Sequence, residues 1–233
     1  MTKEDLKIID HPVPNYTKGR TQKVRFGVIH FTSAVNVSGY EKDPYNVEAN
    51  LILFDSLGTT AKFSAHYLIT REGQIYQWVQ IQDTAWHAGK SCIAIPEYLD
   101  NLNSYSVGIE ILCKEGDKYT TAEYQAAAHL AVFIEDQVAK NNLGYLEHWV
   151  GHDWIAGEIA VRLGIRERSQ IKVDPGPCFD WDIFNRERYR TRLEPELMVT
   201  VKAGLKDQIL DELSVGECLS LFIGKLFKGK KQA

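Results

Sequence analysis

The segment KVDPGPCFDW at residues 172–181 constrains this chain more strongly than any other stretch of its sequence. Asp174 is followed directly by Pro-Gly-Pro, and because proline fixes the backbone angle φ, this aspartate lies on chain with little conformational freedom. Such rigidity suits a metal ligand. In an extended chain, residues two apart point to the same side, so Lys172 and Asp174 would face one cavity. The segment therefore predicts an acidic metal ligand with a cation beside it.

A histidine in the preceding motif, GHDWIA at residues 151–156, is a candidate partner for this aspartate. His152 and Asp174 are both ligand types that Zn²⁺ accepts, but a third protein ligand is still required. The candidate is His30, near the end of the apolar, β-branched run VRFGVIHF at residues 24–31, which predicts a buried strand. Taken alone, a histidine in that position is more often a packing or surface residue than a ligand.

The composition argues against one class of function. A length of 233 residues fits one medium-sized domain with additions, and 25% charged residues is ordinary for a globular protein. The formal net charge is −4, and no long basic stripe interrupts the main body. Nucleic-acid binding is therefore disfavoured, because phosphate neutralisation usually needs clustered Lys and Arg.

The cysteines and the N-terminal residues bear on the cellular compartment. Scattered cysteines without a CxxC pair predict buried free thiols rather than disulfides or a cysteine zinc site: Cys92, Cys113, Cys178 and Cys218. The N-terminal residues lack the apolar region of a secretory signal, and no apolar run is long enough to cross a bilayer. We therefore expect a soluble cytoplasmic chain without a transmembrane segment.

Hydrophobic periodicity and turn residues predict the secondary structure. The predicted elements are a strand at 24–31, a loop at 35–48, a helix at 46–58 ending at Gly58, a hairpin turning at Gly73, a strand at 106–113, a helix at 121–141 and a helix at 154–168. Helices and strands alternate irregularly. This pattern favours an α/β domain with a single mixed central sheet flanked by helices.

Changes in composition and hydrophobic pattern along the chain predict three segments. They are an N-terminal extension at residues 1–20, a main domain at 21–195 and an amphipathic helical appendage at 196–233. Apolar residues at helical spacing, such as Leu205 and Leu213, and a basic end mark the appendage. One interpretation is a helix packed on the domain with a solvated basic end. The alternative is a segment that docks on a membrane surface or a partner.

Six motifs occur in a characteristic order: VIHFT, SAHYLITREGQIYQWV, TAWHAG, NSYSVGIE, GHDWIA and KVDPGPCFDW. In this order they resemble the zinc-dependent N-acetylmuramoyl-L-alanine amidases of the type 2 amidase family, across residues 24–185. That family includes cell-wall recycling amidases, phage endolysins and peptidoglycan recognition proteins. The motifs AWHAG and DPGPxFDW resemble the branch with the recycling amidases, and the family fold agrees with the predicted α/β class.

The resemblance implies a catalytic zinc centre. Its ligands would be His30, His152 and Asp174, with a fourth coordination position left open. Glu110, at the end of NSYSVGIE, would take a proton from water and deliver it to the leaving amine. Lys172 would stabilise the oxyanion of the tetrahedral intermediate.

Further motif residues are predicted to shape the substrate groove. Trp86 and His87 in AWHAG would contact the sugar and peptide of the substrate. Asn103 would bind substrate or fix the loop before Glu110. His66 occupies a position where some relatives carry a tyrosine thought to assist catalysis, and a packing role is equally compatible with its motif.

The spacing between His152 and Asp174 is longer than the resemblance predicts. The stretch GEIAVRLGIRERSQ, at about residues 156–170, therefore reads as an insertion that would wall one side of the groove or move as a lid. Ligand pairing tolerates such an insertion, because the entropy of loop closure grows slowly with loop length. Cys178 is expected to be a buried thiol rather than a further ligand.

The implied activity is hydrolysis of the amide bond between N-acetylmuramic acid and L-alanine in peptidoglycan or muropeptides. The alternatives are a non-catalytic peptidoglycan-binding module and a zinc amidase for another substrate. Three biological roles fit: a cytoplasmic recycling enzyme, a phage endolysin released by a holin, and an interbacterial toxin exported by a contractile secretion machine. In the last two roles, the appendage at 196–233 would assist delivery, wall association or binding of an immunity partner.

Overall fold

A computed structural model describes residues 1–32, 45–56, 63–94 and 98–197 of the chain. The chain divides into two compact units, residues 1–179 and 180–233. The first unit contains all the strands described below. The described part of the second unit, residues 180–197, consists mostly of one helix.

The described strands are β1 Ile9–Asp10, β2 Tyr16–Thr17, β3 Val24–Phe31, β4 Tyr67–Ile69, β5 Ile75–Gln77, β6 Thr84–Ala85, β7 Cys92–Ile93, β8 Leu99–Asp100, β9 Ser106–Ile111 and β10 Gly144–Gly151. The described α-helices are α1 Val47–Ser56, α2 Thr121–Lys140, α3 His152–Ala156, α4 Glu158–Arg162 and α5 Trp181–Leu197. Short 3₁₀ turns cover Leu102–Tyr105 and Arg168–Gln170. Six strands form one sheet in the order β1-β5-β4-β9-β3-β10, and β2-β6 and β7-β8 form two small ribbons.

Four neighbouring strands of the sheet, β4, β9, β3 and β10, run parallel, so their carboxyl ends lie at one edge. His30 pairs with Glu110 in the register of β3 and β9, and the two side chains therefore point to the same face near that edge. β10 ends at Gly151, directly before His152. The carboxyl edge of a parallel sheet is where open α/β folds commonly bind ligands.

Trp149 of β10 marks the face of the sheet that α2 covers. Its Nε1–H donates a hydrogen bond of 2.7 Å to Glu135 Oε1 on α2. The Trp149 ring lies against Gly27 of β3, at a point where a Cβ atom on residue 27 would collide with the ring. A glycine is therefore required here for α2, β10 and β3 to pack together.

The opposite face carries the site described below. Side chains alternate along a strand, so Phe26, Val28 and His30 share the face opposite to Gly27. Phe26 and Val28 pack in one buried cluster with Ile155 of α3. The polar His30 thus continues an apolar row of β3 that α3 covers.

The long helix α2 begins with a capping box, the arrangement that its sequence predicts. Glu123 N–H donates to Thr120 Oγ1 at 3.1 Å, and Thr120 N–H donates to Glu123 Oε2 at 2.6 Å. Arg71 Nη1 also donates to that carboxylate at 2.9 Å, which neutralises a fully buried acidic side chain. The helix ends at Lys140, close to the predicted end at residue 141.

The predicted fold class is confirmed: a mixed central sheet with flanking helices. The strand predicted at 24–31 is β3, with the same bounds. The predicted hairpin is the antiparallel pair β4-β5, and Gly73 in its turn has a φ of 83°, a conformation that glycine adopts without strain. The strand predicted at 106–113 ends at Ile111.

Two sequence predictions, one for a helix and one for a cysteine, are wrong. The helix predicted over 154–168 is two short helices, α3 and α4, which meet at Gly157. A Cβ at residue 157 would collide with the Asp153 carbonyl, so this turn depends on glycine and interrupts the helix. Cys178, predicted to be buried, is half-buried, whereas Cys92 and Cys113 are buried free thiols as predicted.

The other predicted boundaries are only partly covered. Helix α1 begins close to its predicted start, whereas Gly58 and most of the predicted loop at 35–48 lie outside the described residues. Helix α5 begins after Asp180, whose Oδ1 accepts hydrogen bonds from the backbone N–H groups of Asp182 and Ile183. The appendage predicted at 196–233 lies outside the described residues from residue 198 onward.

In the part of the chain that is described, no helix combines the length and apolar character needed to span a membrane.

Candidate active site

Three buried side chains meet at the carboxyl edge of the sheet. His30 comes from β3, His152 is the first residue of α3, and Asp174 precedes the Pro-Gly-Pro run. His30 Nδ1, His152 Nδ1 and Asp174 Oδ2 form a triangle in which each of the three separations is 3.0 Å. The structure thus brings together all three residues predicted to ligate metal.

This donor set fits a tetrahedral zinc ion. Zinc bonds of about 2.0–2.2 Å to nitrogen and oxygen place the ligands of a tetrahedron roughly 3.3–3.6 Å apart. The three donor atoms are 3.0 Å apart, so only a small expansion is needed. Two imidazoles and one carboxylate also leave a fourth coordination position open, as in catalytic zinc sites. The group can therefore hold a metal ion.

Backbone contacts fix the position of Asp174. Its carbonyl oxygen accepts a hydrogen bond of 2.8 Å from Asp153 N–H. The next carbonyl, of Pro175, accepts a hydrogen bond of 2.9 Å from the buried Tyr119 hydroxyl. Gly151 allows this close approach, because a Cβ at that position would lie 2.7 Å from Pro175 Cδ. The aspartate is thus mounted on a rigid segment, as its sequence predicts.

Two backbone hydrogen bonds also close the base of the loop between His152 and Asp174. The first is the Asp153–Asp174 bond, and the second joins Lys172 N–H to the Ala156 carbonyl at 3.1 Å. We call this pair of bonds the neck of the loop 157–171, the stretch that the sequence predicts to be an insertion. Residues 157–171 lie beyond it and contain α4 and a 3₁₀ turn.

Each histidine of the triangle has a polar partner at its other ring nitrogen. His30 Nε2 lies 2.9 Å from His87 Nδ1. His152 Nε2 lies 3.3 Å from the carbonyl oxygen of Ala88. The neighbouring residues 87 and 88 therefore approach the two histidines from the side opposite the triangle.

Burial sets the charge state of this centre. It lowers the pKa of His30 to about 4, and the neighbouring His152 lowers it further. Burial, aided by His30, also holds the pKa of His87 well below its ordinary value. Burial acts to raise the pKa of Asp174, but the charge and hydrogen bonds of His152 and His30 outweigh it and hold that pKa low. Neutral imidazole at His30 and an ionised carboxylate are the forms that bind a metal.

Glu110 lies beside the triangle with an unusual carboxyl group. Burial raises its pKa to about 8, the nearby Asp174 adds to the shift, and Lys172 opposes it. Its Oε2 is buried and has no hydrogen-bond partner among the described residues. A buried carboxyl with a raised pKa that lines a cleft is typical of a catalytic acid or base.

A cleft of about 450 Å³ contains the triangle and its predicted helpers. Glu110, Lys172, Trp86 and His87 all line it. Lys172 is exposed, and Trp86 is half-buried with its Nε1–H donating to Thr17 Oγ1 at 3.0 Å. Most of the predicted site residues therefore share one cavity.

The loop 157–171 also contributes to this cleft. Arg166 and Ile171 belong to its wall, so the loop borders the groove. Arg166 Nε donates to the Lys90 carbonyl at 2.9 Å, and its Nη1 donates to the Gln170 carbonyl at 2.7 Å. The guanidinium is thus held by backbone carbonyls. It adds a second cation to the wall of the cleft that Lys172 also lines. The sequence did not single out Arg166, whose residue type in a charged stretch carries no signal by itself.

Two predicted site residues, His66 and Asn103, are absent from the described wall of the cleft. His66 is fully buried, and its Nδ1 accepts a hydrogen bond of 3.0 Å from Gly108 N–H. Asn103 Oδ1 accepts a hydrogen bond of 2.7 Å from Ala88 N–H. Both side chains therefore support the strands and loops around the site.

The model of the N-acetylmuramoyl-L-alanine amidase family matches residues 20–177. This range contains the whole triangle, Glu110 and Lys172. The chain belongs to this family. The resemblance drawn from the six ordered motifs is therefore confirmed.

The most similar proteins include enzymes named 1,6-anhydro-N-acetylmuramyl-L-alanine amidase AmpD. The AmpD of Citrobacter freundii is 36% identical over 125 residues, which are 53% of this chain and 56% of that protein. The AmpD of Escherichia coli K12 is 34% identical over 126 residues, which are 53% and 57% of the two chains. The chain thus spans about half the length of the curated relatives it matches.

A solved structure extends the likeness to the fold. The crystal structure of a selenomethionine derivative of AmpD is 28% identical, with a TM-score of 0.54. The superposition covers 77% of this chain and 93% of the AmpD chain. The mixed sheet with its flanking helices is therefore the fold of this family.

Proposed function

We propose that this chain is a zinc-dependent amidase that hydrolyses the bond between the lactyl group of N-acetylmuramic acid and L-alanine of the stem peptide. The observation that carries the proposal is the triangle of His30, His152 and Asp174, which opens on a cleft shared with Glu110 and Lys172. A binding module would need the walls of the cleft but not a buried carboxyl with a raised pKa.

The two histidines and the aspartate would hold the zinc ion. When bound, zinc supplies Lewis acidity, which polarises the scissile carbonyl and makes water a better nucleophile at neutral pH. Their burial supports this role, because a water-excluded site strengthens electrostatic interactions with the substrate.

Glu110 moves the proton in this proposal. Its carboxylate accepts a proton from the attacking water as oxygen bonds to the carbonyl carbon. The carbon–nitrogen bond then breaks, and the protonated Glu110 delivers that proton to the nitrogen of the leaving L-alanine. Burial acts to raise the pKa of Glu110, which makes its carboxylate a better proton acceptor than that of an ordinary glutamate.

Lys172 balances the negative charge that develops on the carbonyl oxygen. It lines the same cleft, and its backbone N–H donates the hydrogen bond to the Ala156 carbonyl that forms one half of the neck. Such charge stabilisation is commonly a large part of catalysis of acyl transfer. The products are the free carboxylate of the muramic acid and the free amine of the stem peptide.

The substrate that we favour is a 1,6-anhydro-muropeptide, and the role is cytoplasmic recycling. The support is the name of the related AmpD enzymes, which specifies the 1,6-anhydro sugar. Trp86 at the cleft wall offers a ring face that suits packing against a sugar. An endolysin or an exported toxin would use the same chemistry on intact peptidoglycan.

The test of the chemistry is release of free stem peptide from a purified muropeptide, followed by chromatography. Replacing His30 by Ala, or removing metal with a chelator, should abolish release, and added zinc should restore the chelated enzyme. His129→Ala, on α2 and outside the triangle, is the control and should retain activity. Unchanged turnover in His30→Ala would refute the proposal.

The test of the substrate compares two forms of the cell wall at equal enzyme concentration. A recycling enzyme should cleave small 1,6-anhydro-muropeptides efficiently and solubilise intact sacculi slowly. Rapid lysis of sacculi with weak turnover of the small substrate would reject the recycling role while leaving the amidase chemistry in place.

A further inference from the structure

A row of three polar groups lies behind His30, on the side away from the triangle. His30 Nε2 is 2.9 Å from His87 Nδ1, and His87 Nε2 is 3.1 Å from Ser106 Oγ. Ser106 Oγ in turn donates to the Leu102 carbonyl at 2.6 Å. His87 and Ser106 are both buried, so this row is shielded from bulk water.

The chemistry of the last group sets the direction of every hydrogen bond in the row. A carbonyl oxygen only accepts, so the single hydroxyl hydrogen of Ser106 is used on Leu102. Ser106 Oγ is then left to accept a hydrogen bond, and His87 must donate it from Nε2. A neutral imidazole has one N–H, which leaves His87 Nδ1 as an acceptor.

The same reasoning reaches His30. Because His87 Nδ1 accepts, His30 must donate from Nε2, and its Nδ1 then carries a free lone pair. That nitrogen is the one that faces His152 and Asp174 in the triangle. The row therefore selects the His30 tautomer that can bind a metal through Nδ1.

His152 is controlled in the same way by the next residue along the chain. The Ala88 carbonyl can only accept, so it favours a proton on His152 Nε2 and a lone pair on Nδ1. Ala88 is itself held, because its N–H donates to Asn103 Oδ1 at 2.7 Å. Two consecutive residues thus orient both imidazoles of the triangle.

The sheet leaves room for this arrangement at one glycine. A Cβ on Gly108 would lie 2.5 Å from Cγ of the His87 ring, closer than two such atoms can approach. Strand β9 therefore accepts the ring only because residue 108 has no side chain. The position of His87 is built into the strand that also carries Glu110.

We propose that His87 and Ser106 are positioning residues, which set the tautomer and orientation of His30 for metal binding, and that Asn103 does the same for His152 through Ala88. The inference rests on the proposed zinc centre. It assigns two residues of the AWHAG motif, His87 and Ala88, the role of orienting the predicted metal ligands His30 and His152. Trp86 and His87 of the same motif also line the cleft.

The test compares two variants at residue 87 whose side chains have the same number of heavy atoms and the same branching at Cγ. His87→Asn keeps an acceptor near the position of Nδ1, whereas His87→Leu removes it. Zinc affinity, measured by competition with a chromophoric chelator, should fall about 10–100-fold in His87→Leu. His87→Asn should recover most of that loss. Equal zinc affinity in wild type and His87→Leu would overturn the inference.

A second pair guards against a variant that fails to fold. Ser106→Ala removes the acceptor for His87, whereas Ser91→Ala removes another buried hydroxyl that contacts Leu102 and lies outside the row. Zinc affinity should fall in Ser106→Ala, and Ser91→Ala should bind zinc like the wild type. Equal effects of the two substitutions would mean that the serine is merely structural and would overturn its assigned role.

A direct reading of the protons comes from imidazole ¹⁵N shifts of the zinc-loaded wild-type protein. His30, His87 and His152 should each show N–H at Nε2. A proton on Nδ1 of His87 would contradict the proposed direction of the row. The failures are distinguishable, because a wild-type protein that binds no zinc defeats the proposed function, whereas a zinc-binding wild type with unaffected variants defeats only this inference.

Discussion

At the scale of single residues, Glu110 departs most clearly from what stability alone would favour. Its Oε2 is buried without a partner among the described residues, and burial raises its pKa to about 8. Leaving a buried polar atom unpaired costs roughly 1–3 kcal/mol. A residue that destabilises the fold and lines the cleft is best explained by a task in proton transfer.

Glu110→Gln should therefore separate activity from stability. Removing the proton carrier should lower kcat by about 10²–10⁴-fold, because that is the usual contribution of general acid–base catalysis. Zinc content should be unchanged, since Glu110 is not part of the triangle. Steady-state turnover and metal analysis of the same preparation check this. A variant that keeps more than a tenth of wild-type kcat would contradict the role.

The pH dependence of stability gives an independent check on Glu110 in the zinc-free protein. The folded-state pKa, about 8, lies above the ordinary value of 4.5, so folding binds a proton between these values. The associated stability is fully present below about pH 4.5 and is lost as the pH rises through about 8.

Zinc-free wild type should lose stability between pH 5 and 9 relative to Glu110→Gln, by on the order of 1–3 kcal/mol. Denaturant unfolding of both proteins across this range measures the difference. Since the other titrating groups are shared, their effects largely cancel. Parallel stability curves would show that the pKa of Glu110 is not raised.

At the scale of elements, the loop 157–171 forms part of the wall of the cleft. Its neck fixes both ends, and Arg166 adds a cation to the wall near Lys172. Two cations on one side of a groove attract an anionic ligand, and free carboxylates of a muropeptide would supply the negative charge. The loop would therefore act on substrate binding more than on the chemical step.

Arg166→Ala should raise KM several-fold and leave kcat near the wild-type value, since the lost attraction acts on binding. The effect should shrink at high salt, where charge attraction is screened. Arg162→Ala is the matched control, because that side chain is exposed on α4 and bonds only Glu158 among the described residues. A fall in kcat with KM unchanged would place Arg166 in the chemical step.

The elements also show where sequence reasoning succeeds. β3 was predicted with its observed bounds, because an apolar, β-branched run buried on both faces has a strong signal. The prediction of one helix at 154–168 was wrong, because the spacing of apolar residues does not show that the backbone turns at Gly157. Strand β10, Gly144–Gly151, is not among the predicted elements, because three of its first five residues are exposed and the apolar pattern there is weak.

At the scale of the whole molecule, the centre exists only when the sheet is assembled. His30 lies on β3 and His152 directly follows β10, two strands that are distant in sequence but adjacent in space. Asp174 is held beside them by its own hydrogen bond to α3 and by the bond of the next residue, Pro175, to Tyr119. Metal binding should therefore be coupled to folding of the entire first unit.

Zinc should raise the melting temperature of the zinc-free protein. At a free concentration of 100 times Kd, the added stability is about 2.7 kcal/mol, or roughly 5–10 °C for a chain of this size. Asp174→Ala should lose this shift, and Asp136→Ala, on α2 outside the triangle, should keep it. Calorimetry with and without zinc measures the shift, and an equal rise in Asp174→Ala would exclude the aspartate as a ligand.

The motifs led to the residues of the triangle, to Glu110 and to Lys172, because these residue types recur in a fixed order. They did not reveal Ser106 or Ala88, since a strand serine and a loop carbonyl have no sequence signal for bonding to a histidine. They also could not place Asn103 behind Ala88. Such supporting contacts depend on a fold that brings residues 87, 103 and 106 to one point.

The neck of the loop 157–171 has an evolutionary consequence. Because Asp153 and Ala156 are joined to Asp174 and Lys172 by backbone hydrogen bonds, changes beyond them need not move the residues predicted to bind metal. We therefore expect residues 157–171 to tolerate changes of length and sequence without displacement of the reaction centre. New substrate preferences could thus arise by loop grafting at this position, with no change to the residues that break the bond.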